Sequence, residues 1–291
     1  MQACRPPTEE GSLFPRPGTR ATLRRVSVIT LTTDFSTRDW FVGTMKGVIA
    51  GIAPNAKVVD LTHDLAPGDI RAGAFALAAS CRFFPKGTIH LAVVDPGVGS
   101  RRKAIAVQTA NGVFVGPDNG VLSWALAKEK IRAIHALENK TYFLQPVSRT
   151  FHGRDVFAPV AAHLNRGVPI QKFGPALKDF VRLIWPEPRA WRGGFEGEVV
   201  YIDHFGNAIT NLESRLLRGS DAASCEIYAR HRRVCPLDTF YQAVAPKTPV
   251  ALVGSSGFLE IAVNSGSAEK ALGVKVGTRV VLRIGSPTLA D

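Results

Sequence analysis

Cysteine is scarce in this chain: Cys4, Cys81, Cys225 and Cys235 are the four among 291 residues, far apart and without a CxxC spacing. That density argues against a disulfide framework and against a cysteine zinc site. Cys81 falls on the apolar side of a predicted helix, where a thiol packs as a small hydrophobe. Long apolar runs are missing too. No stretch approaches the roughly 18 unbroken apolar residues of a membrane span, and no apolar segment follows the start as in a signal peptide. A cytoplasmic protein with no membrane partner is expected. None of the seven histidines stands in an HxH or HxxxH pair beside a carboxylate, so no metal is expected. No segment repeats.

Acids are in deficit, 24 against 36 Lys and Arg, giving a formal net charge of +12. Residues 1–25 account for +3 of this, with Arg5, Arg16, Arg20, Arg24 and Arg25 against Glu9 and Glu10. The remainder is largely scattered, with a dense run at Arg230-His231-Arg232-Arg233. Nucleic-acid affinity comes largely from clustered Lys and Arg that neutralise phosphates, so no nucleic-acid partner is expected. What is plentiful is apolar: 45% of residues, with 21% charged, the balance of a globular protein with a sizeable core. The length suits one large domain or two ordinary ones.

Residues 1–25, rich in Pro, Gly, Thr and Arg, read as a flexible extension. From Val28 a β-branched run predicts a buried strand ending at Asp34. Ser36 or Thr37 can cap a helix in which Phe41, Met45, Val48, Ile49 and Ile52 recur at helical steps before Pro54 stops it. A second unit follows, with a strand over Lys57 to Leu61 and a helix carrying Ile70, Ala74, Leu77, Ala78 and Cys81. The apolar run Ile89 to Val94 reads as a strand covered on both sides. Such alternation predicts an α/β domain over residues 26–186 with a mainly parallel sheet flanked by helices. Prolines and glycines mark a linker at 187–194. Short runs at Glu198 to Ile202, Glu226 to Arg230, Val250 to Val253, Leu259 to Val263 and Thr278 to Ile284 predict a smaller antiparallel, barrel-like β domain over 195–291.

Several polar, glycine-rich stretches stand out: Thr32-Thr33-Asp34-Phe35, Asp95-Pro96-Gly97-Val98-Gly99 with Arg101 and Arg102 behind it, Thr150-Phe151-His152-Gly153-Arg154-Asp155, Asp203-His204-Phe205-Gly206-Asn207, and Gly254 to Glu260. Each has a structural explanation when taken singly. Asp34 can cap a helix, Asp95 can start a turn, His152 can tolerate an unusual backbone angle, and Pro117-Asp118-Asn119-Gly120 is a turn signal. Asp34 and Asp95 both follow strands, however, and ligands collect at the carboxyl ends of strands in open α/β sheets.

In their order, these motifs resemble the S-adenosylmethionine hydrolases that form adenosine, relatives of the bacterial fluorinase and chlorinase, over about Val28 to Ile284. The resemblance implies that Asp95, Arg102 and His152 handle the attacking water. It also implies that Asp34 holds the ribose hydroxyls, Asp203 and Asn207 lie near the methionine and adenine ends, and Ser255, Glu260 and the backbone around Val263 complete the pocket. Ser256 stands where the halogenases carry an arginine. The resemblance further implies a homotrimer with its site at the subunit interface, with S-adenosyl-L-methionine and water as substrates and no cofactor.

Displacement at the ribose C5′ releases neutral methionine from a sulfonium, so no general acid is needed. Water is the weak partner and needs a base, which Asp95 or His152 supplies, while Arg102 favours hydroxide-like charge. The same fold can deliver a halide to C5′, but a halide needs no base and a neighbouring carboxylate repels it. A sensor that binds S-adenosylmethionine without turnover is the reading from another class.

Overall fold

The computed structural model describes residues 28–217 and 224–285. The expected extension at 1–25 lies outside them. The chain divides into two compact units, with the boundary between Leu183 and Ile184. No helix among the described residues is long and apolar enough to cross a membrane.

The first unit runs β1 (Val28–Thr33), α1 (Phe41–Ile52), β2 (Lys57–Thr62), α2 (Ile70–Ser80), β3 (Thr88–Val93), β4 (Ala104–Thr109), β5 (Gly112–Pro117), α3 (Ser123–Leu126), β6 (Ile131–Ala136) and α4 (Ala158–Asn165). Its sheet has the order β2-β1-β3-β5-β4-β6. The first four in this order pair in parallel, and β4 pairs antiparallel with both β5 and β6. A mostly parallel sheet flanked by helices matches the sequence expectation; the antiparallel β4 arises from a tight turn after Thr109, too short for a crossover.

Alternation along the strands feeds two cores. Ile29, Leu31, Ile89, Leu91 and Val93 pack with Met45 and Ile49 of α1 and Phe157, Val160 and Ala161. On the other face Val94, Ile105, Val107 and Phe114 pack with Leu77, Leu122 and Phe180. On this second face His90 is buried, with its ring stacked on Phe114 at 4.8 Å and Nδ1 2.9 Å from Thr30 Oγ1. Burial pushes its pKa down to about 4.

Helix starts depart from one expectation. Neither Ser36 nor Thr37 caps α1. Trp40 precedes the helix and no side chain caps it, because Ser36 is used in a left-handed turn at φ 57°. Asp69 caps α2, accepting from the Ala72 amide at 2.9 Å.

The second unit runs β7 (Arg189–Trp191), β8 (Gly194–Ile202), β9 (Ala208–Glu213), β10 (Cys225–Ala229), β11 (Arg232–Pro236), β12 (Pro249–Val253), β13 (Phe258–Val263), α5 (Ala268–Leu272) and β14 (Arg279–Ile284). The path β11-β10-β14-β8-β9-β13-β12 is antiparallel throughout, with β7 paired to β8. A bridge between Leu237 and Ala251 joins the two ends of that path, so the sheet is nearly closed and barrel-like, as expected. Val199, Leu212, Ile227, Leu259, Ile261 and Leu282 fill its interior.

Candidate active site

In the first unit, Asp34 directly follows β1 and Asp95 comes two residues after β3, on two neighbouring parallel strands. Both therefore reach the same rim. They line a cleft of about 510 Å³ together with Phe35, Phe41, Pro67, Gly68 and Pro96. Asp34 Oδ2 accepts the Gly68 amide at 2.7 Å. Its Oδ1 is buried and has no hydrogen-bond partner among the described residues. A buried, unsatisfied carboxylate oxygen is costly, and a ligand hydroxyl would relieve it.

His63 steadies that end of β1. Its Nδ1 lies 2.8 Å from Thr33 Oγ1, its carbonyl accepts the Ser36 amide at 2.7 Å, and Nε2 is 3.1 Å from Asp60 Oδ1. The chain is thus held on both sides of Asp34.

Asp95 meets Arg102 side by side. Arg102 Nε donates to Oδ1 at 2.9 Å and to Oδ2 at 3.0 Å, and Nη2 also donates to Oδ2. The same Nη2 lies 2.8 Å from His152 Nδ1. A guanidinium can only donate, so Nδ1 accepts and the ring proton belongs on Nε2. The imidazole is therefore neutral, with no lone pair left free. Burial first, and then the Arg102 charge, hold its pKa below the usual histidine range. Arg102 also packs over the Phe157 ring at 5.3 Å.

His152 opens the π-helical turn Gly153–Phe157 that leads into α4. Asp155, two residues after Gly153, is fully buried; it accepts the Ser148 amide and pairs with Arg154, so it fixes the loop. Gly99 ties the two loops together. Its φ is +76°, and a Cβ there would lie 2.3 Å from the Arg149 carbonyl oxygen, which leaves room only for glycine.

The second unit gathers other predicted residues. Asp203 Oδ1 accepts the Phe205 and Asn207 amides at 2.9 Å each, and Oδ2 accepts Asn207 Nδ2 at 2.9 Å. Glu260, buried on β13, accepts the Tyr241 hydroxyl at 2.8 Å. Burial, and then the Asp203 charge, push the Glu260 carboxyl upward, against the Tyr241 hydrogen bond. Burial and Glu260 push Tyr241 up to about 12. Ser255 lies in the turn from β12 to β13, beside Ser256, whose Oγ is buried without a partner among the described residues. Val263 is placed apart from these polar groups, in the unit's apolar core, with its carbonyl accepting the Gly266 amide.

The structure thus brings Asp95, Arg102 and His152 into one hydrogen-bonded set, with Asp95 on the same cleft as Asp34, and brings Asp203, bonded by Asn207, within electrostatic reach of Glu260. Gly68, His63 and Tyr241 were not singled out from sequence. Gly68 carried a signal in Pro67-Gly68-Asp69, a turn before a helix, whereas Tyr241 carried none. Among the described residues no group of three or more His, Cys, Asp and Glu is placed to hold a metal ion.

Comparison with known proteins adds to this geometry. The family described as SAM hydroxide adenosyltransferase N-terminal domain matches residues 29–174, and the corresponding C-terminal domain matches residues 197–281. A Salinispora tropica protein named (R)-S-adenosyl-L-methionine hydrolase is 41% identical over 260 residues, covering 88% of this chain and 98% of that protein. A fluorinase of an Actinoplanes species is 27% identical over 288 residues, covering 88% of this chain and 97% of that one. The crystal structure of an uncharacterized conserved protein from Thermotoga maritima matches with a TM-score of 0.84 at 36% identity, covering 88% of this chain and 99% of that chain.

Proposed function

Because this chain belongs to the SAM hydroxide adenosyltransferase family, we propose that it hydrolyses S-adenosyl-L-methionine to adenosine and L-methionine by attack of water on the ribose C5′. The observation that carries the mechanism is the Asp95–Arg102–His152 set, whose Asp95 lines a cleft together with Asp34.

Water attacks C5′ as the C5′–S bond breaks, and the bonding pair leaves on sulfur, which turns from sulfonium to neutral thioether. The proton lost from water needs an acceptor. His152 has its Nδ1 lone pair engaged by Arg102 and a proton on Nε2, so it orients the water as a donor. Asp95 keeps lone pairs beyond those Arg102 uses, and is the base. Arg102 spreads positive charge beside the developing hydroxide character. Holding water in line with the C5′–S bond supplies on the order of 7–11 kcal/mol in favourable cases.

Asp34 Oδ1 takes a ribose hydroxyl. Asp203, Asn207, Ser255, Glu260 and the Val263 backbone serve the adenine and methionine ends, and the uncompensated acids suit a ligand that is cationic at sulfur. The chain works as a cytoplasmic homotrimer, with a site built between subunits and no metal or cofactor. Asp95 also argues for water over halide, since a carboxylate repels chloride and fluoride.

The test is incubation of the chelator-treated protein with S-adenosylmethionine in oxygen-18 water, with and without chloride, for wild type and Asp95→Ala. Equal adenosine and methionine, with label at the 5′-oxygen and turnover lost in the variant, is expected. Bound but unchanged substrate would mean a sensor, and 5′-chloroadenosine would mean halide transfer. Mixing Asp95→Ala with Asp203→Ala subunits should restore activity if the site is shared between chains.

A further inference from the structure

The outer face of the second unit carries a hollow of about 500 Å³ whose lining includes Arg189, Trp191, Glu196, Tyr228, Arg279 and Arg283. Ligand pockets commonly span roughly 300–1,000 Å³. None of the residues assigned above to S-adenosylmethionine lines it. The ladders explain the grouping. Val281 on β14 stands opposite both Tyr228 and Glu196, and residues opposite one another in antiparallel strands share a face. Arg279 and Arg283, two positions either side of Val281, point the same way. Arg189 on β7 stands opposite Glu196, and Trp191 opposite Gly194.

The charges there are unbalanced. Three guanidiniums line the hollow with one carboxylate, Glu196, which Arg279 already engages; Glu226, opposite Arg283, accepts the Tyr228 hydroxyl at 2.9 Å and pairs with Arg233. Arg189 and Arg283 enter no ion pair with a described residue. Arg283 lies over the Tyr228 ring at 4.3 Å, with Nη1 3.3 Å from its hydroxyl. Trp191 keeps 43% of its surface exposed. At the rim, a turn with positive φ at Arg230 and His231 presents His231. Of the basic run, Arg233, opposite Tyr228, pairs with Glu226, and Arg230 reaches the carbonyls of Leu272 and Gly273. The sheet therefore assembles a basic, aromatic site from arginines that look scattered in the sequence.

We propose that this hollow binds a nucleotide, with a phosphate between Arg189 and Arg283 and the base on the Trp191 ring. Guanidinium forks match phosphate oxygens in pairs, and every base offers a face to an aromatic ring. A free nucleotide and a single strand share this chemistry.

Uridine probes avoid the adenosine site. Binding to the full-length protein is measured for uridine monophosphate by calorimetry and for a fluorescein-labelled ten-nucleotide uridine strand by anisotropy. At least one is expected to bind. Affinity should fall about tenfold or more in R189A/R283A and several-fold in W191L, with S-adenosylmethionine turnover unchanged in both. Binding of the monophosphate, with displacement of the strand by it, identifies a free nucleotide as sufficient; binding of the strand alone identifies a strand. The proposal is overturned if neither probe binds, if inorganic phosphate binds as tightly as uridine monophosphate, or if Arg132→Ala in the first unit costs as much as R189A/R283A.

Discussion

In the first unit Asp95 lies against the Arg102 guanidinium, whereas in the second Asp203 and Glu260 have no cation among their described partners and are held by backbone amides, an asparagine amide and a phenol. The two arrangements suit different tasks. A carboxylate clamped by a fixed guanidinium is held in one orientation and still has a lone pair to offer to water. Burial, and then the neighbouring Asp203 charge, raise the cost of ionising Glu260. That cost is relieved when a positive ligand arrives. On the proposed reading, chemistry belongs to the first unit and charge recognition to the second.

The largest expected effect tests this division directly. Asp95→Ala should lower kcat by about 10²–10⁴-fold while the Kd for S-adenosylmethionine stays within a few-fold. The comparison breaks if Asp203→Ala gives the same kcat loss with KM unchanged. Glu260→Gln should do the reverse, raising KM by about 10–100-fold with kcat largely kept, since a charged hydrogen-bonding group is lost from binding alone. Steady-state kinetics on the two variants separates the cases.

Acid should also divide the units. His90 has a native pKa of about 4 against an ordinary 6.5, so the unfolded chain binds the proton more readily. The stabilisation from keeping that ring neutral is full above 6.5 and is lost as pH falls through about 4. Glu260 is shifted the other way, so acidification relieves it. Hydrogen exchange at pH 4.5 and 7, corrected for intrinsic rates, should show β3 amides losing protection before β13 amides. Faster loss in β13 would contradict this assignment. The smallest effect expected is that of Tyr241→Phe, which removes one hydrogen bond to Glu260 and should raise KM by about 2–10-fold. An unchanged KM would remove Tyr241 from the recognition cluster.

Much of the molecule was legible because local patterns and tertiary packing agree. The apolar spacing of Met45 and Ile49 marked a helix face, and the β-branched run before Asp34 marked a strand buried on both sides. That Asp34 and Asp95 share one rim was readable, since the ends of neighbouring parallel strands project there. Other features depend on long-range pairing. β9, from Ala208 to Glu213, mixes Thr and Asn into an apolar run, and its buried Thr210 hydroxyl accepts the Leu212 amide and donates to the Leu259 carbonyl across the ladder. Tyr241 gains a role from Glu260, nineteen positions away. The short strand at Arg189–Trp191 lies inside a stretch whose prolines and glycines read as a connection, and it exists because β8 offers it an edge. Periodicity within one segment carries none of these.

The contact of Gly99 with the Arg149 carbonyl bears on how such a site can be remodelled. It makes the turn after Asp95 and the approach to His152 a single heritable part, although fifty positions separate them. Widening the space for a bulkier attacking group by lengthening either loop would push backbone into backbone. Compensating changes would have to arrive in both loops together, so stepwise drift by single substitutions is a poor route to a new nucleophile.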